Sequence, residues 1–325
     1  PGGPGGPHLV LQVHAGDEYS PAVDPSSDLP LCLPDIYPDS SADCLVLGPA
    51  QTLTNLSELG YTIPPVPIPS RKTPEELAQI PYQYAKVSAE QVPIFTAPPA
   101  TRETLPSRYL DPGFKYISYL NSTENDAGLF YYTRGGAWVD GYYVARATVP
   151  VFQGVTFNDP PRVSFGWILS PAESQLYPGL EQPETGKTYN RFNAVNVYSC
   201  KEMGGVEWCM IGLNEWVDSR LIARVNLNPI PPAGVTNGRW IEINLFEQTV
   251  SVYDNYRLVF ATLTSTGLDP YYTQPGLFQI YDKKDIETMS GAFATDRSDY
   301  YYLEDVPFTM YFDKARALHG AYWHS

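Results

Sequence analysis

The residues able to move protons or attack an acyl group gather near the end of the 325-residue chain. His319 and His324 stand there beside Ser325, with Asp299 and the pair Glu304-Asp305 upstream. A histidine titrates near neutrality, so His319 has the residue type that a general base needs. Taken alone, it reads more readily as a partly buried histidine at a strand end. His319 and His324 are five positions apart, which is not the spacing of a helical metal pair. No glycine elbow surrounds Ser325, so nothing in its context would activate the hydroxyl. The carboxylates form no paired general-acid arrangement, and neither a P-loop nor a dinucleotide fingerprint is present. No metal or organic cofactor is implied.

Four cysteines form two close pairs, Cys32/Cys44 and Cys200/Cys209. Four cysteines allow three pairings. Local pairing is expected, because each pair brackets a short loop. Cys200 and Cys209 flank Lys201-Glu-Met-Gly-Gly205, which reads as a hairpin turn between facing strands. Disulfides point to an exported protein. Neither pair has the C-x2-C spacing of a zinc site.

The elements that must position His319 lie between Arg239 and Ser325. Trp240–Leu245, Thr249–Tyr253 and Arg257–Leu263 alternate apolar and polar residues and are separated by Glu247-Gln248 and Asp254-Asn255. That pattern predicts an antiparallel meander with one buried face. Ser265-Thr-Gly267 ends it, and Thr273-Gln-Pro-Gly-Leu-Phe-Gln-Ile280 opens a further strand after a Pro-Gly turn.

This order of segments resembles the catalytic domain of L,D-transpeptidases. The segments that carry the resemblance are Ile241-Glu-Ile-Asn-Leu245, Gln248, Tyr253, Ser265-Thr-Gly267, Thr273 to Ile280, Tyr302 to Phe312 and His319-Gly320. They cover roughly the last quarter of the chain. In that family the His-Gly precedes a Ser/Thr-His-Gly-Cys motif whose Cys is the nucleophile. No Cys follows Cys209, so the expected catalytic domain is incomplete at its C-terminus and its nucleophile is expected downstream. The resemblance implies that His319 is the base of a thiolate–imidazole pair. It implies that Gly320 lets the backbone approach closely and orients the ring through its carbonyl. Tyr302, Tyr322, Trp323 and His324 are expected to face a peptidoglycan stem peptide. For most of the nearby aromatics, sheet packing is the commoner role.

Upstream, Gly136-Ala-Trp138-Val-Asp140 through Ala145-Arg146 lines up with Asn214-Glu-Trp216-Val-Asp218 through Ala223-Arg224, and Phe130 falls on Trp208. This internal repeat resembles bacterial SH3-like barrels, each with its Trp partly buried. A spacer role is favoured over specific peptide binding. The expected architecture is mainly β. A leader over 1–80 contains the Cys32-Cys44 loop. An SH3-like module follows over 81–169, then a connection with a second module over 170–230. The L,D-transpeptidase-type β-sandwich covers 231–325. Within the leader, Glu75–Gln79 after Thr73-Pro74 reads as one or two helical turns. His8–His14 alternates and reads as an edge strand, with self-association through it as the rarer option.

A formal net charge of −15, with 36 Asp and Glu against 21 Lys and Arg, argues against nucleic-acid binding. No run of about 18 apolar residues spans a membrane. The first residue is Pro rather than Met, so the N-terminus is expected to be processed or incomplete. The function expected from these readings is that of an exported cell-wall enzyme. It would transfer the acyl group of a stem tetrapeptide through a Cys thioester. The rival is a non-catalytic envelope or wall-binding protein built on the same scaffold.

Overall fold

The computed structural model describes residues 10–14, 59, 61, 67–74, 80, 82–269 and 271–323. The expected Cys32-Cys44 loop, the helical turn over 75–79 and His324 lie outside the described residues. About 51% of the described residues are in strands. No α-helix occurs among the described residues, which include two short 3-10 turns. No helix of the described residues is long and apolar enough to cross a membrane.

The strands assemble into four sheets, of seven, three, five and ten strands. None of them closes into a barrel among the described residues. The expected meander is present as Trp240–Asn244, Thr249–Asp254 and Arg257–Leu263, paired antiparallel in sequence order. Its expected single buried face is corrected, because both faces are covered. Trp240, Tyr253, Leu258 and Ala261 pack against Phe165, Trp167 and Val225. Ile241, Ile243 and Val250 pack the other way, against Leu11, Ile280 and Phe312. Alternate residues of one strand therefore serve two cores, and all of Trp240–Asn244 is buried.

Val10–His14 is not an edge strand. It pairs parallel with Trp240–Asn244 on one side and antiparallel with Gly276–Gln279 on the other. Leu11 is fully buried. The alternating sequence is used for insertion into the chain's own sheet, which leaves neither of its edges open to another copy.

The repeat is reproduced pair by pair. Phe130 faces Asp140, Tyr131 faces Val139 and Tyr132 faces Trp138. Trp208 faces Asp218, Cys209 faces Val217 and Met210 faces Trp216. After each Trp-Val-Asp strand, the Asp side chain accepts a hydrogen bond from the backbone two residues on. Asp140 accepts from Tyr142 and Asp218 from Arg220, at 2.8 and 2.9 Å. Each bond caps a 3-10 turn that leads into the last strand of the repeat. Trp138 and Trp216 are both half-buried. Cys200 and Cys209 face each other across the expected hairpin and form a disulfide.

Strand pairing crosses the boundaries drawn from the sequence. Phe165–Ile168, within the bounds expected for the first module, pairs with Ala194–Asn196 and Ile222–Val225 of the second. Tyr301–Asp313 of the C-terminal region runs parallel to the start of Phe114–Asn125 in the first repeat, with Tyr301 opposite Phe114. The first repeat and the C-terminal region thus share a sheet, and the second repeat shares a core with the C-terminal meander.

Candidate functional site

A groove of about 620 Å³ brings together segments that are far apart in sequence. Gln248, Ser265-Thr266, Thr273 and His319-Gly320 all line it. The floor is built around Gln248, which sits in the turn between two meander strands at a φ of 55°. Asn244 Oδ1 accepts from the backbone N–H groups of Phe246 and Glu247 and shapes that turn. The Gln248 amide then donates to Leu245 O and to Thr266 Oγ1, at 2.6 and 2.8 Å, while its Oε1 accepts from Thr266 N at 2.8 Å. One amide side chain therefore fixes the Ser265-Thr-Gly267 loop to the turn. Gly267 is required by close approach, since a Cβ there would lie 1.9 Å from Tyr271 O. Its N–H donates to Thr273 Oγ1 at 3.1 Å, which joins the two loop segments of the groove.

His319-Gly320 follows the short strand Arg316–Leu318, which folds back on Tyr301–Asp313. Gly320 N–H donates to Pro307 O at 2.8 Å and prolongs that pairing. A side chain at 320 would place its Cβ 2.8 Å from Pro307 Cγ, so the pairing at this distance needs glycine. His319 is exposed, and its Nδ1 lies 3.2 Å from Gly320 O. In the tautomer with the proton on Nδ1, that atom donates to the carbonyl and Nε2 is the acceptor nitrogen. The Trp323 ring lies 5.3 Å from the imidazole centroid and limits its rotation.

The remaining expected site residues are placed differently. Tyr322 is buried, not in the groove wall. It stacks on Tyr84 at 3.5 Å and donates its hydroxyl to Glu304 O. The physical reason is pairing between the C-terminal region and the first repeat, which leaves an aromatic core at their junction. Tyr302 is also turned inward, donating to Glu304 Oε1 at 2.8 Å. Burial raises the Tyr302 phenol above its ordinary range, and the Glu304 carboxylate adds to that. Trp323 touches the imidazole without lining the groove, and His324 lies outside the described residues.

Glu304 itself is buried. It accepts from Ser118 N–H at 3.1 Å and holds the C-terminal strand to the first repeat. Burial pushes its carboxyl up, against the hydrogen bonds from Tyr302 and Ser118. Its neighbour Asp305 is held by Arg134 at 2.9 Å. A second junction lies below the groove floor. Arg224 Nε donates to Glu247 Oε1 at 2.7 Å, its backbone N–H donates to Oε2 at 2.8 Å, and its Nη1 pairs with Glu207 at 2.9 Å. Arg224 closes the second repeat and Glu247 precedes Gln248. The disulfide hairpin, the repeat and the groove floor therefore form one connected set.

Sequence reasoning missed the opposite wall, made by Pro150–Gly154, Leu169, Arg191 and Phe192. Only the Asn190-Arg-Phe-Asn193 pattern, with Asn at both ends of a tight turn, was a usable signal. No protein-family model matches the chain, and no curated protein matches it.

Proposed function

We propose that this chain carries the substrate groove and the base of an L,D-transpeptidase of the bacterial cell wall. The observation that carries the reading is convergence. Gln248, Ser265-Thr266, Thr273 and His319-Gly320 were linked in the sequence by order alone, and all line one groove. The chemistry is acyl transfer. In the chemistry that the resemblance implies, a Cys thiolate attacks the carbonyl before the terminal D-Ala of a stem tetrapeptide. The C–N bond breaks and D-Ala leaves with a proton on its amine. The amine of a second stem then opens the thioester, and the sulfur is released. His319 takes the thiol proton and returns it to the leaving amine, a role suited to an exposed imidazole with Nδ1 beside a carbonyl. The repeats are read as SH3-like modules, and the Cys200–Cys209 disulfide fits an exported location.

The test is turnover of a disaccharide-tetrapeptide by the native full-length product, read as D-Ala release by mass spectrometry. His319→Ala is expected to lower the rate by about 10²–10⁴-fold. Unchanged turnover in that variant would remove His319 from the mechanism. A full-length product without turnover of any stem peptide would favour the wall-binding reading.

A further inference from the structure

The outer faces of the two repeats differ in a way that their shared pattern does not explain. In the second repeat, Tyr198, Met210 and Trp216 meet on the face opposite the core that holds Cys209 and Val217. Tyr61, far upstream in the chain, closes that face. Its ring lies 4.6 Å from the Tyr198 ring, and its hydroxyl accepts from Leu213 N–H at 3.1 Å. Tyr61, Tyr198 and Met210 are all buried there. One tyrosine from outside the repeat thus covers an aromatic face of it.

Strand pairing locates the same face in the first repeat. Ser199 faces Met210 and Met210 faces Trp216 in the second repeat, while Asn121 faces Tyr132 and Tyr132 faces Trp138 in the first. The residues that precede Ser199 and Asn121 are Tyr198 and Leu120. Leu120, Tyr132 and Trp138 therefore stand where Tyr198, Met210 and Trp216 stand. Their neighbours Tyr119, Tyr131 and Val139 fill the core on the other side of the sheet. The Tyr132 and Trp138 rings lie 4.9 Å apart. Yet this face is open. Leu120 is 53% exposed against 9% for Tyr198, and Tyr132 is half-buried where Met210 is buried. An exposed leucine beside two aromatic rings, all held on one sheet, is a surface whose covering is favourable.

We propose that this face of the first repeat is a docking site for an extended segment of a partner protein that presents a tyrosine. The occupant is read from the second repeat, where the equivalent face has taken a tyrosine. Two of the three positions are aromatic in each repeat, Tyr198 and Trp216 in the one and Tyr132 and Trp138 in the other. Tyrosine brings a large, rigid contact area at little cost in conformational entropy. Tyr61 is already engaged by Tyr198 and Leu213, so it does not serve both faces. The first repeat is then the module that recognises a partner, and the second, its face filled by the chain itself, is a structural one.

The probe is a fluorescein-labelled synthetic peptide with the sequence of residues 57–66, which carries Tyr61. It is titrated with the full chain and followed by fluorescence anisotropy. Tyr61→Ala in the peptide is expected to weaken binding about tenfold or more. In the chain, Leu120→Asp and Leu120→Lys are each expected to weaken it by a similar factor. Both variants should unfold at the midpoint of the unaltered chain, because Leu120 lies on the surface. Opposite charges at one position separate the loss of an apolar contact from attraction or repulsion of the peptide. Binding that survives both Leu120 substitutions places the probe on another surface and overturns the proposal. So does binding indifferent to the tyrosine of the probe, or no binding at chain concentrations up to about 1 mM. Self-association of the unaltered chain that both Leu120 variants lose would make a second copy the occupant and overturn the assignment to a partner protein.

Discussion

The two repeats share a sequence pattern and a strand register, yet the arginine at equivalent offset plays a different part in each. Arg224, at the end of the second repeat, is turned inward and pairs with the buried Glu247. Arg146, at the same offset in the first repeat, faces solvent with the Tyr131 hydroxyl as partner. The first repeat is joined elsewhere, through Ser118 to the buried Glu304. Buried Glu304 is met there by a backbone N–H and a phenol, with Arg134 on the neighbouring Asp305, whereas buried Glu247 is met by both the guanidinium and the backbone N–H of Arg224. A repeat therefore reproduces its internal geometry, and its outward contacts are set by what is packed against it.

The difference is sharpest under substitution. Arg224→Ala strands Glu247 in the interior and is expected to cost about 3–5 kcal/mol, whereas Arg146→Ala should leave stability close to that of the unaltered chain. Denaturant unfolding of the two variants measures this directly, and equal losses would break the contrast. The shared part of the repeats predicts the opposite result. Asp140→Ala and Asp218→Ala each remove a cap from the same 3-10 turn, and each should cost about 1 kcal/mol. A large gap between those two values would show that the caps are not equivalent.

The smallest effect concerns pH. Burial holds the Glu304 carboxyl above its ordinary range, so the native state keeps this proton to a higher pH than the unfolded chain does. Between the ordinary value and the raised one the native state binds more protons, and stability falls as pH rises through that window. Below it, the contribution is fully present. Glu304→Gln removes the titrating group and should flatten the decline, as read from unfolding at a series of pH values. A slope equal to that of the unaltered chain would assign the titration to another group.

Much of the local structure was legible. The meander strands were bounded within a residue or two. The Cys200–Cys209 hairpin was placed by its Gly-Gly turn, and the repeat alignment matched the two Trp-Val-Asp strands residue for residue. Gln248, the Ser265-Thr-Gly267 loop and His319-Gly320 were singled out by their order. Tyr302 and Tyr322 were read as facing the ligand because they neighbour the site in sequence, and their burial came from a junction the sequence did not announce. Arg191 and Phe192 were passed over as part of a connection.

The division follows the range of the interactions. Alternation, turn residues and hairpin disulfides act over a few residues, so the sequence by itself determined the meander strands, their turns, the disulfide hairpin and the equivalence of the two repeats. Only the tertiary structure decided that Val10–His14 inserts beside Trp240–Asn244, that Tyr301–Asp313 joins the first repeat, and that Arg191 comes to face the groove. Those pairings join backbone groups far apart along the chain. They are selected by which apolar faces remain to be covered once the local elements exist, a property of the whole set of elements and of no single stretch.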